Sequence, residues 1–251
     1  MKIAISQPTY LPWIGYFDLM DQVDTFVYLD CVQFEKQSWH HRNRIKTPAG
    51  LLWLTVPVQI HGRFGQLIKD VEIRQVDFWQ KHLRSVEVHY RRSPYFETYF
   101  PPLLRFFEQH ESSSLCELNI ALLTWMMTAL TVQKPTVIAS TLQVEGKKSG
   151  LLVNICRKLG ADEYLSPIGS AEYLLDDMQL FNESGISVRF QHYQHPEYRQ
   201  LFRPFVPYAS ALDLLFNEGP GAMDIIRSGR REPWTVAAVT AEKSQSAVVG
   251  T

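Results

Sequence analysis

The chain has 251 residues, 45% of them apolar and 20% charged, with 25 Lys and Arg against 26 Asp and Glu for a net charge of −1. That length and mixture exclude disordered and fibrous classes and suit a globular protein with one large core or two modest ones. The balanced charge removes any global reason to bind nucleic acid or acidic membrane, so an anion site has to be local.

Residues 2–6 are a short apolar run that reads as a first strand. Pro8 and Pro12 stiffen the turn that follows, Gln7, Thr9 and Tyr10 place polar groups beside it, and Gly15 permits close approach of a neighbouring segment. Residues 13–24 carry Ile14, Phe17, Leu19, Met20 and Val23 near helical spacing, and residues 25–29 form a second strand. In such a βαβ start the crevice beyond the strand ends, faced by a helix N-terminus, is a common anion site. No Walker A or GxGxxG loop is present.

Residues 30–47 read as a charged, aromatic loop, followed by the turn Pro48-Ala49-Gly50, a strand over 51–58 and a mobile loop over 61–66. Helices are expected over 77–90, 94–109 and 114–131, a helical insertion at about 77–132. The βαβ rhythm then resumes: strand 136–140, helix 150–159 closed by Gly160, strand 163–166, helix 170–184 stopped by Gly185, strand 186–190, and helices 210–217 and 221–227. The pattern predicts a single α/β domain over 1–229 with a mainly parallel, Rossmann-like sheet, and a loosely ordered tail over 230–251.

Cys31, Cys116 and Cys156 are too scattered for a disulfide framework or a zinc ribbon, which points to a reducing cytoplasm. The apolar start is too short for a signal segment, and the greasiest stretch, 118–132, falls short of a bilayer span and reads as a core helix. No membrane insertion is expected.

The densest constellation begins where the second strand should end. Asp30, Cys31 and Gln33 lead into Lys36, Trp39, His40, His41, Arg42, Asn43, Arg44 and Lys46. Cationic side chains interleaved with aromatic rings suit a phosphate or diphosphate group carrying a flat ring. Asp30 at a strand end suits a divalent metal, an orienting bond to a histidine, or a loop cap. Cys31 beside a cationic loop is a candidate nucleophile that would carry an acyl group. Adjacent His40 and His41 point different ways on a regular element, so no metal set is assigned. A second constellation, around Ser166 and Ser170, repeats the strand-to-helix design; a third, 192–200, supplies Tyr193, His195 and Tyr198 for acid–base work or hydroxyl recognition. On the helix at 77–90, Trp79, His82, Leu83, Val86 and Tyr90 share one face and read as core.

An ordered series of motifs resembles the WbqC-like family: Gln7-Pro8-x-Tyr10-x-Pro12-Trp13-x-Gly15-Tyr16-Phe17, Leu29-Asp30-x-Val32-Gln33-Phe34, Asn43-Arg44-Ile45-Lys46, Tyr193-x-His195-Pro196-x-Tyr198-x-Gln200, and Ser210-x-x-Asp213-Leu214-Leu215-Phe216-Asn217. The likeness covers about residues 2–229. It departs from the pattern at Cys31, where an acidic residue often follows Asp30. The resemblance implies a cytoplasmic transferase of polysaccharide (O-antigen, capsule) or natural-product pathways that moves an acyl or aminoacyl group onto an amino sugar or similar amine. In that reading Arg42, Arg44 and Lys46 neutralise phosphate, and Asp30, His195 and Cys31 carry the chemistry. Gln7, Tyr10, Gln33, His40, Asn43, Ser166, Tyr193 and Tyr198 bind substrate. No cofactor is fixed; ATP with Mg²⁺ or a thioester-activated donor would fit, and the partners would be a small molecule, a nucleotide-sugar or a carrier protein. The opening strand and turn also resemble nucleotidyltransferase-type Rossmann folds, but Tyr10-Leu11-Pro12-Trp13 stands where their HxGH signature would be. Nucleotidyl transfer, or a non-catalytic role in a biosynthetic complex, is the alternative.

Overall fold

The computed structural model describes residues 1–249, with side chains through Glu242. In chain order the elements are β1 (Lys2–Ser6), α1 (Ile14–Asp21), β2 (Thr25–Tyr28), β3 (Arg42–Thr47), β4 (Gly50–Thr55), α2 (Trp79–Tyr90), α3 (Phe96–Gln109), α4 (Leu115–Ala129) and β5 (Thr136–Ile138). They continue as α5 (Lys148–Leu159), β6 (Glu163–Ser166), α6 (Ala171–Leu174), α7 (Met178–Glu183), β7 (Ser187–Phe190), α8 (Ala211–Glu218), α9 (Ala222–Ser228), β8 (Trp234–Thr235) and α10 (Val236–Val249).

A six-stranded sheet runs β5-β2-β1-β6-β7-β8. β1 pairs in parallel with β2 on one side and β6 on the other, and β7 joins β6 in parallel; β8 closes the edge antiparallel. This is a Rossmann-like α/β fold, and the strand order reverses between β1 and β6, which opens a crevice at their carboxyl ends. The alternation of β1 and β2 explains how one sheet serves two cores. Ala4, Phe26 and Tyr28 face a core shared with α1, the α2–α4 insertion, α8 and α9, whereas Ile3, Ile5 and Val27 face a second core shared with α5, α6 and α7.

Local signals account for the element ends. Ser114 caps α4, its Oγ accepting from the Glu117 N–H at 3.3 Å, and Gly160 closes α5 in the left-handed conformation, φ 69°. Among the described residues no helix is long and apolar enough to cross a membrane.

Three expectations are corrected. Residues 42–47 are not loop: they form β3, paired antiparallel with β4 from Arg42–Thr55 to Thr47–Gly50. Its alternation was obscured because Lys46, whose charge suggests solvent, is 2% exposed. The helix expected over 170–184 is broken into α6 and α7 with 3₁₀ turns between. Residues 234–239 of the expected tail are held by tertiary contact: Trp234 pairs with Phe190 and the Val239 side chain joins the second core. Order there comes from tertiary contact rather than from an amphipathic period of its own. Residues 250–251 of the expected tail lie outside the described residues.

Candidate functional site

The reversal point holds a cleft of about 730 Å³. Ser6 and Gln7 at the end of β1, Pro167 to Ser170 after β6, the start of α1, and the hairpin residues Asn43 and Arg44 enclose it. Its floor is apolar, from Ile5, Leu19, Leu29, Leu152 and Tyr164.

The wall at α1 depends on Gly15. A Cβ at that position would lie 2.2 Å from the Trp13 indole, which folds back over the helix start. The indole stacks on His195 at 6.0 Å and meets the edges of Tyr193 and Tyr208 at 5.6 and 5.3 Å. His195 is fully engaged: Nδ1–H donates to Pro196 O at 2.9 Å and Nε2 accepts the Tyr208 N–H at 3.2 Å. Burial holds its pKa below the usual histidine value, so the ring stays neutral and this pairing persists. It positions Tyr208 and Trp13 and has no nitrogen left to act as a base.

Gln7 and His40 form a second fixed unit. His40 is 3% exposed, and burial with neighbouring His41 pulls its pKa down to about 4. Its Nδ1 accepts the Glu35 N–H at 3.5 Å, so Nε2–H donates to Gln7 Oε1 at 2.8 Å. The Gln7 amide NH₂ is what remains for a ligand.

Arg44 supplies the positive charge. Its guanidinium lies 5.3 Å from the Trp39 ring and 5.2 Å from the Trp53 ring, and the two indoles are tilted by 31° with centroids 5.5 Å apart. The register of the hairpin sets Arg44 opposite Trp53. Among the described residues no carboxylate pairs with Arg44, and its buried Nε has no hydrogen-bond partner. The buried Thr9 hydroxyl in the same lining is also unpartnered. A guanidinium without a carboxylate partner at a concave site is a donor group suited to an acceptor-rich ligand.

Of the residues singled out by sequence, Gln7, His40, Asn43 and Arg44 line the cleft. Asn43 is a brace: its amide donates to Tyr10 O at 3.2 Å and accepts the Arg44 N–H at 2.8 Å. Ser166 lies just below the lining, 0% exposed, its hydroxyl on Pro167 O. Tyr193 and His195 stand behind Trp13; the Tyr193 hydroxyl donates to Ile226 O.

The others do not reach it. Asp30 is a loop cap, accepting from the Ser140 N–H at 2.9 Å and the Ser140 hydroxyl at 2.5 Å. Cys31 is not activated, because burial and the Asp30 carboxylate push its thiol up. Tyr10 is core, bonded to His82 Nδ1 at 2.8 Å. Gln33 is exposed, bridging by backbone to Leu67. Arg42 lies 4.4 Å over the Trp53 ring and donates to Gln37 O, outside the cleft. Lys46 is buried with Nζ on Pro204 O at 2.9 Å, and the Tyr198 hydroxyl donates to Asp213 at 2.7 Å. A charged residue next to strand ends is as well suited to bracing a loop as to meeting a ligand, and only three-dimensional packing separates the two.

Sequence reasoning placed Thr9 beside this crevice but missed Tyr208 and Gln191 as lining residues. Gln191 had a legible signal, a polar residue directly after an apolar strand at the binding edge. The profile of the WbqC-like protein family matches residues 7–225. An uncharacterized protein of Mycobacterium tuberculosis, Rv1507c, is 36% identical over 231 residues, covering 92% of this chain and 99% of that one. No solved structure matches the chain.

Proposed function

We propose that this chain, which belongs to the WbqC-like protein family, is a cytoplasmic transferase that binds a phosphate-bearing small molecule in the cleft and moves an acyl or aminoacyl group onto an amine, as on an amino sugar. The observation that carries the reading is Arg44, a guanidinium without a carboxylate partner, shelved on Trp39 and Trp53 at the strand-order reversal. That pairing of a cation with aromatic faces suits a phosphate or diphosphate attached to a flat ring.

Aminolysis of an activated donor asks little of the protein beyond positioning. The amine nitrogen bonds to the acyl carbon, the donor's sulfur or oxygen departs with the bonding electron pair, and the amine's proton goes to that leaving group. A cleft whose polar groups are mostly neutral and already oriented fits this better than nucleotidyl transfer, which relies on carboxylates to place Mg²⁺. Glu35 is the single acidic residue in the lining.

The test is calorimetric titration of UDP- and dTDP-amino sugars, ATP and CoA thioesters into wild type and Arg44→Ala. A nucleotide-linked ligand should bind, and the substitution should weaken it by about tenfold or more, as for loss of a charged hydrogen bond, with thermal stability nearly unchanged. Equal affinity in folded Arg44→Ala refutes the assignment. Mass spectrometry of the amino sugar incubated with an acyl or aminoacyl donor reads the transfer itself.

A further inference from the structure

Gln191 is the first residue after β7 and 6% exposed, yet it lines the cleft. Its backbone N–H continues the β6–β7 ladder by donating to Ser166 O at 2.8 Å. The side-chain nitrogen donates to Gly15 O and to Asp18 Oδ2, each at 2.8 Å. Both partners are acceptors, so the amide has one orientation: nitrogen toward α1, and Oε1 left over. No protein donor reaches Oε1 among the bonds of the described residues, and it is not one of the fully enclosed atoms without partners. It is the polar atom that Gln191, a lining residue, has free for a ligand.

The anchor is firm. The Asp18 carboxylate, 0% exposed, also takes Arg230 Nε at 2.8 Å and Gln22 Nε2 at 2.6 Å. Arg230 and Arg227 then bind Asp21. A glutamine held by such a network cannot turn over to offer NH₂ to a ligand.

Gln7 and Gln191 thus present opposite polarity. Gln7 has its oxygen occupied by His40 and offers a donor, while Gln191 has its nitrogen occupied and offers an acceptor. With Arg44, the cleft asks for a ligand rich in acceptors on the hairpin side and carrying an N–H or O–H donor on the β7 side. We propose that Gln191 Oε1 receives an N–H of the acceptor substrate's primary amine, so that the ligand is a phosphate-linked molecule whose amine lies against β7. This rests on the transferase reading and names the residue that selects its acceptor. Donating one N–H to a fixed oxygen also aims the nitrogen lone pair, the feature a nucleophile needs.

The experiment measures affinity for UDP-linked hexoses bearing a primary amine at C2, C3 or C4, each beside the deoxy compound lacking it, with wild type and Gln191→Met. Wild type should bind one amine compound at least tenfold tighter than its deoxy counterpart, because the deoxy ligand leaves a buried acceptor unmet. Gln191→Met should erase that ratio, binding each amine compound and its deoxy counterpart alike. Equal binding of every amine and deoxy pair by wild type overturns the role of Gln191 and leaves the Arg44 site standing. An amine preference that survives in Gln191→Met overturns it too, and failure of all UDP-hexoses to bind overturns the transferase reading itself. Where Gln191→Met does not fold, the wild-type ratio decides.

Discussion

Acidification from pH 7.5 to 5 should destabilise this protein, because burial holds histidines neutral, His40 and His82 most strongly. His40 and His82 are 3% and 8% exposed, and burial pulls each pKa from 6.5 to about 4. A histidine with a depressed folded pKa binds fewer protons folded than unfolded between those values, so stability is whole above pH 6.5 and falls as pH drops toward 4. At about 1.4 kcal/mol per tenfold, each site costs about 2 kcal/mol by pH 5 and about 3.4 kcal/mol in full. Together they take about 4 kcal/mol by pH 5, a large share of an ordinary stability of about 5–15 kcal/mol. Asp21 does not contribute in that window, since Arg227 and Arg230 hold its pKa at about 2 and its stabilisation is lost only as pH falls below its usual 3.8. Urea denaturation at pH 7.5, 6.5, 5.5 and 5.0 should show the midpoint falling at constant m. In His82→Gln, less stable at pH 7.5, the decline between 7.5 and 5 should shrink by about 2 kcal/mol, the His82 share. A wild-type stability that changes by less than about 1 kcal/mol over that range refutes the reasoning.

Gly15→Ala should force the Trp13 indole from its place, since a Cβ there lies 2.2 Å from the ring; a loss of about 1–3 kcal/mol and a shifted tryptophan emission are expected, and an unchanged spectrum and melting midpoint would contradict it. Asp213→Asn should destabilise by about 1–3 kcal/mol, because Tyr90, Tyr198 and Gln200 all donate to this carboxylate and an amide turns one acceptor into a donor facing donors; thermal melting of the two proteins checks it, and equal midpoints count against the network.

The fold was legible because its signals are local. Continuous apolar runs in β1 and β2, Gly160 after α5 and Ser114 before α4 each act within a few positions, and together they specify a parallel sheet with a helical insertion. β3 was not legible: half-buried Arg42 and Arg44 alternate with buried Asn43 and Ile45, but Lys46 breaks the pattern by burying its charge against Pro204. Gln7, singled out beside the end of β1, and Arg44, singled out for its charge, line the cleft, whereas Asp30, also singled out at a strand end, and Cys31 do not. Position at the binding edge is a topological fact that sequence periodicity conveys; whether a carboxylate faces a ligand or a neighbouring loop depends on contacts between residues as far apart as Asp30 and Ser140.

The buried carboxylates explain what holds the cleft's shape. Asp213 gathers Tyr90, Tyr198 and Gln200, and the Tyr90 hydroxyl accepts the Lys46 N–H on β3, two residues along the strand from Arg44. Asp18 gathers Gln22, Gln191 and Arg230, which fixes the opposite wall. Neither aspartate lines the cleft, but Asp18 holds the amide of Gln191, which does, and Asp213 through Tyr90 braces the strand that carries Arg44. Desolvating two carboxylates is costly unless their bonds are complete. A protein whose buried acids brace the fold is built for positioning, which is what the proposed acyl transfer from an already activated donor would ask of it.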